Sequence, residues 1–357
     1  MALRVGLIGC GLIGRFHGSN LKHLARSQAP LAYLAVCDRQ LERAEAYARI
    51  GGCELATTNA TRLIEAPDLD ALYVCTETAE HPDLVIAAAK AGKHVFCEKP
   101  LAKNYADAKR MHDAVEAAHV VHQVGLVMRF SPVFRVLEDL IGDTTLGAPL
   151  AVVLRDDQFF PTRGHYASSW RGDVAKAGGG TLIEHSIHDV DLLLRLFGPI
   201  ARVRCETRVT SGHPGIEDVA AATLVHESGL ATQLSSVWHA MDDRPSTRRL
   251  EVFYERGWFM TEHDYFGSLT YQRDTGAAAT LTREDVLERF CALEGIDRDK
   301  RDERSIGALC DRRFLEACLA KRRAVPSFRE ALAAHRVVEA CYRSARERRD
   351  VAVAEIV

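Results

Sequence analysis

The sequence predicts an α/β chain in two parts: an N-terminal doubly wound parallel sheet, then an α+β domain built on a large, mostly antiparallel open sheet. Three observations predict it. Short apolar runs alternate with helix-like segments over residues 4–124, the pattern of strand–helix–strand crossovers. Polar or glycine-rich residues follow several of these runs at the end where such sheets bind ligands. Beyond Gly125 the alternation gives way to short strands and to hairpin turns such as Glu227-Ser228-Gly229 and Glu255-Arg256-Gly257. The expected division is residues 1–125 and 126–357.

Size and composition bound the function. The 357 residues suffice for two ordinary domains, and 47% hydrophobic with 27% charged content is that of a globular protein in water. A net charge of -3 gives no electrostatic reason to expect nucleic acid or anionic membrane as a partner. No apolar run approaches membrane-spanning length, and the N-terminal run is broken early by glycines, so it reads as a strand rather than a leader. The 10 cysteines are scattered, without a Cys-x-x-Cys pair. Cys10, Cys37, Cys75 and Cys97 sit in or at the end of β-like runs, as buried thiols do, so neither a disulfide framework nor a metal site is expected and a cytoplasmic location is.

The first run, residues 4–8, leads into Gly9-Cys10-Gly11-Leu12-Ile13-Gly14, and a helix-like segment follows over 15–24. A G-x-G-x-x-G between strand and helix is the dinucleotide loop of a Rossmann domain. Its glycines allow the tight turn, the approach of a pyrophosphate and close helix packing. The second run, 34–37, ends in Asp38, where an acidic group takes the ribose hydroxyls of NAD. Asp38 could also cap the helix that begins near Leu41, though the cofactor role is the favoured one. Arg39 keeps NADP open. Runs at 70–75, 93–97 and 120–124 continue the sheet, with helices over 83–91 and about 105–118. Thr76, His81, Glu98 and Lys99 then join Gly9 and Asp38 at the carboxyl ends of strands. Pro100 makes Lys99 a placed residue rather than a stray surface charge, because the ring fixes the local backbone and a Lys-Pro bond can be cis.

In the second part, residues 156–176 form a long loop carrying Tyr166, Trp170 and Arg171, which suit either a pocket wall or a packed surface loop. Gly178-Gly179-Gly180 then offers a bare backbone able to approach a ligand. From Thr181 onward the period is helical, which would bring Glu184, His188 and Asp191 onto one face, with His185 and Asp189 on the adjoining one. Strands are expected between 203 and 272, helices over 284–293, 306–321 and 331–347, a solvated charge run over 297–304, and a last strand near 351–357.

Several stretches together resemble the glucose–fructose oxidoreductase / inositol dehydrogenase / rhizopine-catabolism (Gfo/Idh/MocA) family. They are Val74 to Thr76, His81, Ala91-Gly92-Lys93-His94-Val95, Glu98-Lys99-Pro100, the crossover with Arg129, Phe130 and Pro132, the Tyr166/Trp170/Arg171 loop, and the glycine-helix segment from Gly178 to Asp191. The resemblance covers nearly the whole chain. It implies an NAD(P)-dependent enzyme interconverting a secondary alcohol and a ketone on a sugar, glycoside or inositol-like polyol. By position, Lys99 would contact the reacting hydroxyl and His188 would be the general acid/base. Glu184 stands where many members carry aspartate, a departure that bears on substrate preference. Gly9, Gly11, Leu12, Ile13, Gly14, Asp38, Arg39, Thr76, His81, Glu98 and Lys99 would hold the cofactor. Arg129, Tyr166, Trp170, Arg171 and His185 would meet the substrate, with His185–Asp189 as the alternative working pair. It also implies a homodimer or homotetramer through the second sheet. A redox-neutral glycosidase and a non-enzymatic nicotinamide or sugar sensor use the same scaffold and stay open at this point.

Overall fold

The computed structural model describes residues 2–26, 31–164, 166–241, 243–297 and 302–357. It divides into two compact units. The first is Met1–Leu126 with Asp302–Leu332, and the second is Val127–Arg301 with Ala333–Val357. Asp302–Leu332, from near the end of the chain, is thus grouped with the first unit.

The first unit is built on six parallel strands: β1 (Leu3–Ile8), β2 (Leu31–Cys37), β3 (Leu55–Thr57), β4 (Ala71–Val74), β5 (His94–Cys97) and β6 (His122–Val124). Their order is β3-β2-β1-β4-β5-β6, so the winding direction reverses between β1 and β4, and the crevice for a ligand opens at that point. β3, only three residues long, had no readable run. The four residues of β4 are buried throughout, which is why they read as an unbroken apolar run rather than an alternating one. Crossover helices cover the sheet at Leu12–Arg26, Leu41–Gly51, Ala60–Ile64, His81–Lys90 and Tyr105–Ala117. Asn104 starts the last of these by accepting the Asp107 N–H at 2.8 Å. From the late segment, Phe328 and Ala331 are buried in the same core as Val74, Val95 and Val124. Residues 298–301 of the expected charge run lie outside the described residues, and Asp302 caps the helix Glu303–Gly307.

The second unit carries a nine-stranded sheet of β7 (Pro149–Phe159), β8 (Ile200–Arg208), β9 (Val219–His226), β10 (Ala231–His239), β11 (Thr247–Tyr254), β12 (Gly257–Thr261), β13 (Leu269–Arg273), β14 (Ala279–Leu281) and β15 (Val351–Ala352). The order is β14-β13-β12-β11-β7-β10-β9-β8-β15. Among the described pairs only β7–β10 is parallel. Register separates the two faces. The cross-strand row Leu250–Leu154–Leu234–Ala222–Cys205 is buried, whereas the next row, Glu251–Val153–Gln233–Thr223–Arg204, points to the other side and is partly or fully exposed. Among the described residues no helix is long and apolar enough to cross a membrane.

Candidate functional site

The glycine loop joins β1 to the helix Leu12–Arg26. Gly9 has φ +100, and a Cβ there would land on the Cys75 carbonyl. A Cβ on Gly14 would land on the Gly9 carbonyl. Both glycines are thus required by the chain's own packing. Gly11 differs: a Cβ there meets no protein atom within 4 Å. Open space beside a bare backbone at a helix start is what a pyrophosphate needs, and Leu12 and Ile13 present the first turn there. The loop therefore fits a dinucleotide.

Asp38, just past β2, is buried. Its Oδ2 accepts the Cys10 N–H at 2.9 Å and its Oδ1 accepts the Gln40 N–H at 2.9 Å. The following helix is capped at Gln40, so the helix-cap alternative for Asp38 does not hold. The carboxylate ties the end of β2 to the glycine loop. Arg39 is paired with Glu77, and with Glu80 at 3.1 Å. Two carboxylates oppose the recruitment of its guanidinium to a 2′-phosphate.

Thr76 lies half-buried just past β4. His81 is buried, with Nδ1 3.1 Å from the Pro100 carbonyl and Nε2 3.3 Å from the Thr76 carbonyl. Burial holds its pKa below the ordinary imidazole value. It links the loops after β4 and β5. Glu98 is buried and accepts from His17 at 2.9 Å and from the Lys99 backbone N–H at 3.1 Å. Lys99 follows β5, half-buried, with a cis peptide bond to Pro100. Of the groups that sequence reading placed at the strand ends, the structure ties Asp38, His81 and Glu98 into the loops themselves.

In the second unit the glycine-helix segment departs from expectation. It is two helices, Thr181–Glu184 and Ile187–Phe197, interrupted at His185 and Ser186. A single helical face for Glu184, His188 and Asp191 is therefore not formed. The apolar period hid the break because Ile183 and Ile187 are buried on either side of it. Glu184 Oε2 accepts from Arg171 Nε at 2.8 Å. Asp191 accepts both arms of Arg129, at 2.6 and 2.7 Å. This is a buried bidentate pair, so Arg129 acts as an anchor for the helix. His188 is buried in the first turn of Ile187–Phe197.

The alternative pair is also divided. His185 Nε2 lies 3.0 Å from Asp156, and Asp189 accepts from Arg248 at 2.6 Å. Arg248, fully buried, also reaches Asp156 at 2.8 Å and Asp264 at 2.7 Å. Burial drives the Asp189 pKa up to about 8, against the pull of Arg248 and with a push from Asp156. Sequence reading missed Asp156, Arg248 and Asp264, which lie in β7, in β11 and just past β12.

The chain's own packing demands all three glycines. Gly178 adopts φ +88 to end the helix Val174–Ala177. A Cβ on Gly179 would strike the Tyr342 hydroxyl, and one on Gly180 the Glu217 backbone. The Glu217 carboxylate accepts the N–H groups of Gly180 at 2.7 Å and Leu182 at 3.0 Å, and the Tyr342 hydroxyl at 2.8 Å. In the loop before them, Arg171 stacks over Trp170 with its guanidinium carbon 4.7 Å from the ring centre, and stands 6.0 Å from that of Tyr166. Among the described residues no cluster of His, Cys, Asp and Glu could hold a metal ion.

The first unit's sheet order and open glycine loop define a dinucleotide-binding protein. Residues 3–126 match the oxidoreductase family with the NAD-binding Rossmann fold, and residues 134–260 match the GFO/IDH/MocA C-terminal domain. The chain is 33% identical over 295 residues to myo-inositol 2-dehydrogenase of Thermotoga maritima, covering 81% of this chain and 84% of that one. It is 30% identical to D-apiose dehydrogenase of Paraburkholderia graminis over 97% of this chain and 88% of the relative. In three dimensions it resembles a levoglucosan dehydrogenase in complex with NADH, with a TM-score of 0.87 over 99% of both chains at 22% identity, a likeness of fold. The chain belongs to the Gfo/Idh/MocA family and is an NAD(P)-dependent oxidoreductase with an NAD-binding Rossmann domain.

Proposed function

We propose that the protein interconverts a secondary alcohol and a ketone on an inositol, a sugar or a related polyol, with Lys99 and His188 as its acid–base groups and Glu184 in support. One observation carries the reading. The Lys99 amine stems from the end of β5, at the same edge of the parallel sheet as the open Gly11 loop, on a backbone held by a buried carboxylate. The dehydrogenase names of the relatives, with inositol and apiose as their substrates, support the substrate class.

Bound NAD supplies the hydride acceptor. The chain's own work concerns the proton and the charge left on oxygen. The His188 imidazole, in its neutral form, accepts the hydroxyl proton. The Lys99 ammonium stabilises the negative charge developing on the oxygen. Glu184, held by Arg171, keeps a carboxylate in the same segment as the imidazole. Trp170 and Tyr166 offer ring faces to the C–H side of a polyol, while Arg171 and His185 offer donors to its hydroxyls. Asp38 beside the glycine loop, and Arg39 engaged by two carboxylates, favour NAD over NADP. We take the enzyme to work in the cytoplasm, since all ten cysteines are free thiols. It assembles through the outer face of its nine-stranded sheet.

A panel of inositols, sugars and glycosides with NAD or NADP, followed by absorbance of the reduced cofactor, tests the reading. Net NADH is expected with a polyol. Turnover with no net NADH would instead favour a redox-neutral glycosidase. His188→Ala is expected to lower turnover by about two to four orders of magnitude while NADH affinity, by fluorescence titration, stays within about threefold. A wild-type rate in Lys99→Ala would remove the acid–base assignment.

A further inference from the structure

A buried chain of charge joins the helix of the glycine loop to the lysine loop. His17 lies on Leu12–Arg26, and none of its side chain is exposed. Its Nδ1 is 2.7 Å from Asp311 Oδ1 and its Nε2 is 2.9 Å from Glu98 Oε1. Asp311, from the helix Leu309–Ala320, also accepts from Asn20 at 2.8 Å. The second Glu98 oxygen accepts the Lys99 N–H. Gly125 makes the room, since a Cβ there would land on Glu98 Oε1. The rings of Tyr73 and Phe96 wall the imidazole at 5.7 and 4.8 Å, and Phe314 packs edge-on against both.

With a carboxylate on each ring nitrogen, His17 has two donors to supply and no acceptor role, which is the charged form. Burial alone would favour the neutral ring, but Asp311 and then Glu98 outweigh it and push the pKa up to about 10. Burial likewise opposes the Glu98 carboxylate, yet His17 and Lys99 hold its pKa below the ordinary value. The other titratable groups nearby, Tyr73, Cys75 and Cys310, are pushed up by burial and stay neutral. The His17 imidazolium therefore stands between the Asp311 and Glu98 carboxylates, and Glu98 in turn holds the Lys99 backbone N–H.

We propose that His17 is a positioning residue for Lys99: the imidazolium fixes the Glu98 carboxylate, the carboxylate fixes the Lys99 backbone, and the helix of the glycine loop thereby sets where the Lys99 amine stands. The effect on turnover rests on the acid–base reading of Lys99. The effect on the amine itself does not.

The test is competitive acylation of the intact enzyme with acetic anhydride across pH, read by mass spectrometry at Lys99 with exposed Lys90 as internal reference, beside kcat and KM on the panel. His17→Gln keeps one donor and removes the charge. Its Lys99 reactivity is expected to change at least about threefold relative to Lys90, with kcat about 10- to 100-fold lower and KM for NAD within about threefold, the pattern of a misplaced group rather than a lost binding site. Should His17→Gln fail to fold, Asp311→Asn, which weakens the hold on the imidazolium, is expected to show the same pattern more weakly. Unchanged Lys99 reactivity in a folded variant overturns the proposal. If the wild type makes no NADH from any polyol, the functional reading fails and the acylation still decides this one.

Discussion

A buried histidine between two carboxylates has a consequence for pH. The folded-state pKa of His17 is raised to about 10, above the ordinary imidazole value of 6.5. Below about pH 6.5 the ring is protonated in both folded and unfolded chains, and its contribution to stability is complete. As pH rises toward about 10 the unfolded chain gives up that proton first, so the contribution is lost progressively. Asp189 acts with the same sign in a lower window. Its folded pKa of about 8 stands above the ordinary 3.8, so its protonated form costs stability as pH climbs from about 4 to 8. Urea unfolding of the wild type at stepped pH is expected to show midpoints falling between pH 8 and 10, and His17→Gln a flatter profile there. Parallel profiles would deny the imidazolium its role. None of this pairing was legible, because His17 and Asp311 lie 294 residues apart and only the fold joins them. The one local signal was a histidine three residues past the last glycine of the loop.

At the level of elements, hydrophobic period and glycine placement read well where local packing decides. The apolar runs at 4–8, 34–37, 70–75 and 93–97 mark β1, the end of β2, β4 and β5, and the glycine loop appeared as strand, turn and helix. At Gly178-Gly179-Gly180 the same signals showed a bare backbone but not the packing that demands it: Gly179 lies against Tyr342 and Gly180 against Glu217, both far off in sequence, while Gly178 turns at φ +88. The break at His185–Ser186 was hidden for a related reason: two short helices can bury Ile183 and Ile187 as one long helix would. Gly180→Ala drives a methyl group into the Glu217 backbone, and overpacking of that kind costs about 1–3 kcal/mol. We expect its melting temperature to fall by roughly 2–12 °C, at about 2–4 °C per kcal/mol for a unit of this size, with a parallel loss of turnover. A melting curve superimposable on that of the wild type would mean that the backbone yields and the glycine is dispensable.

For the molecule as a whole, the nine-stranded sheet bears on assembly. Val153 is 43% exposed and Phe253 37% exposed on its outer face, among Ala221, Thr223, Ala231 and Gln233. Arg249 and Glu251, Arg204 and Glu206 add charges of both signs. A face that mixes apolar, small and oppositely charged side chains suits sheet-on-sheet packing with a second copy. Sedimentation velocity should find a dimer or tetramer, and Val153→Glu should shift it toward the monomer. A wild-type monomer at tens of micromolar would rule out this assembly, since a stable homodimer is expected to bind at micromolar or tighter.

The first unit is written in two instalments, Met1–Leu126 and Asp302–Leu332. During synthesis its sheet leaves the ribosome long before Asp311, Phe314 and Phe328 exist. Until they arrive, His17 has one carboxylate instead of two, and the rings of Tyr73 and Phe96 lack their cover. The nucleotide-binding half of this enzyme therefore cannot mature as the chain's opening act. It must wait, part-built, for nearly the last helix to be translated, and cleavage after Leu126 would release a fragment that still lacks part of its own interior.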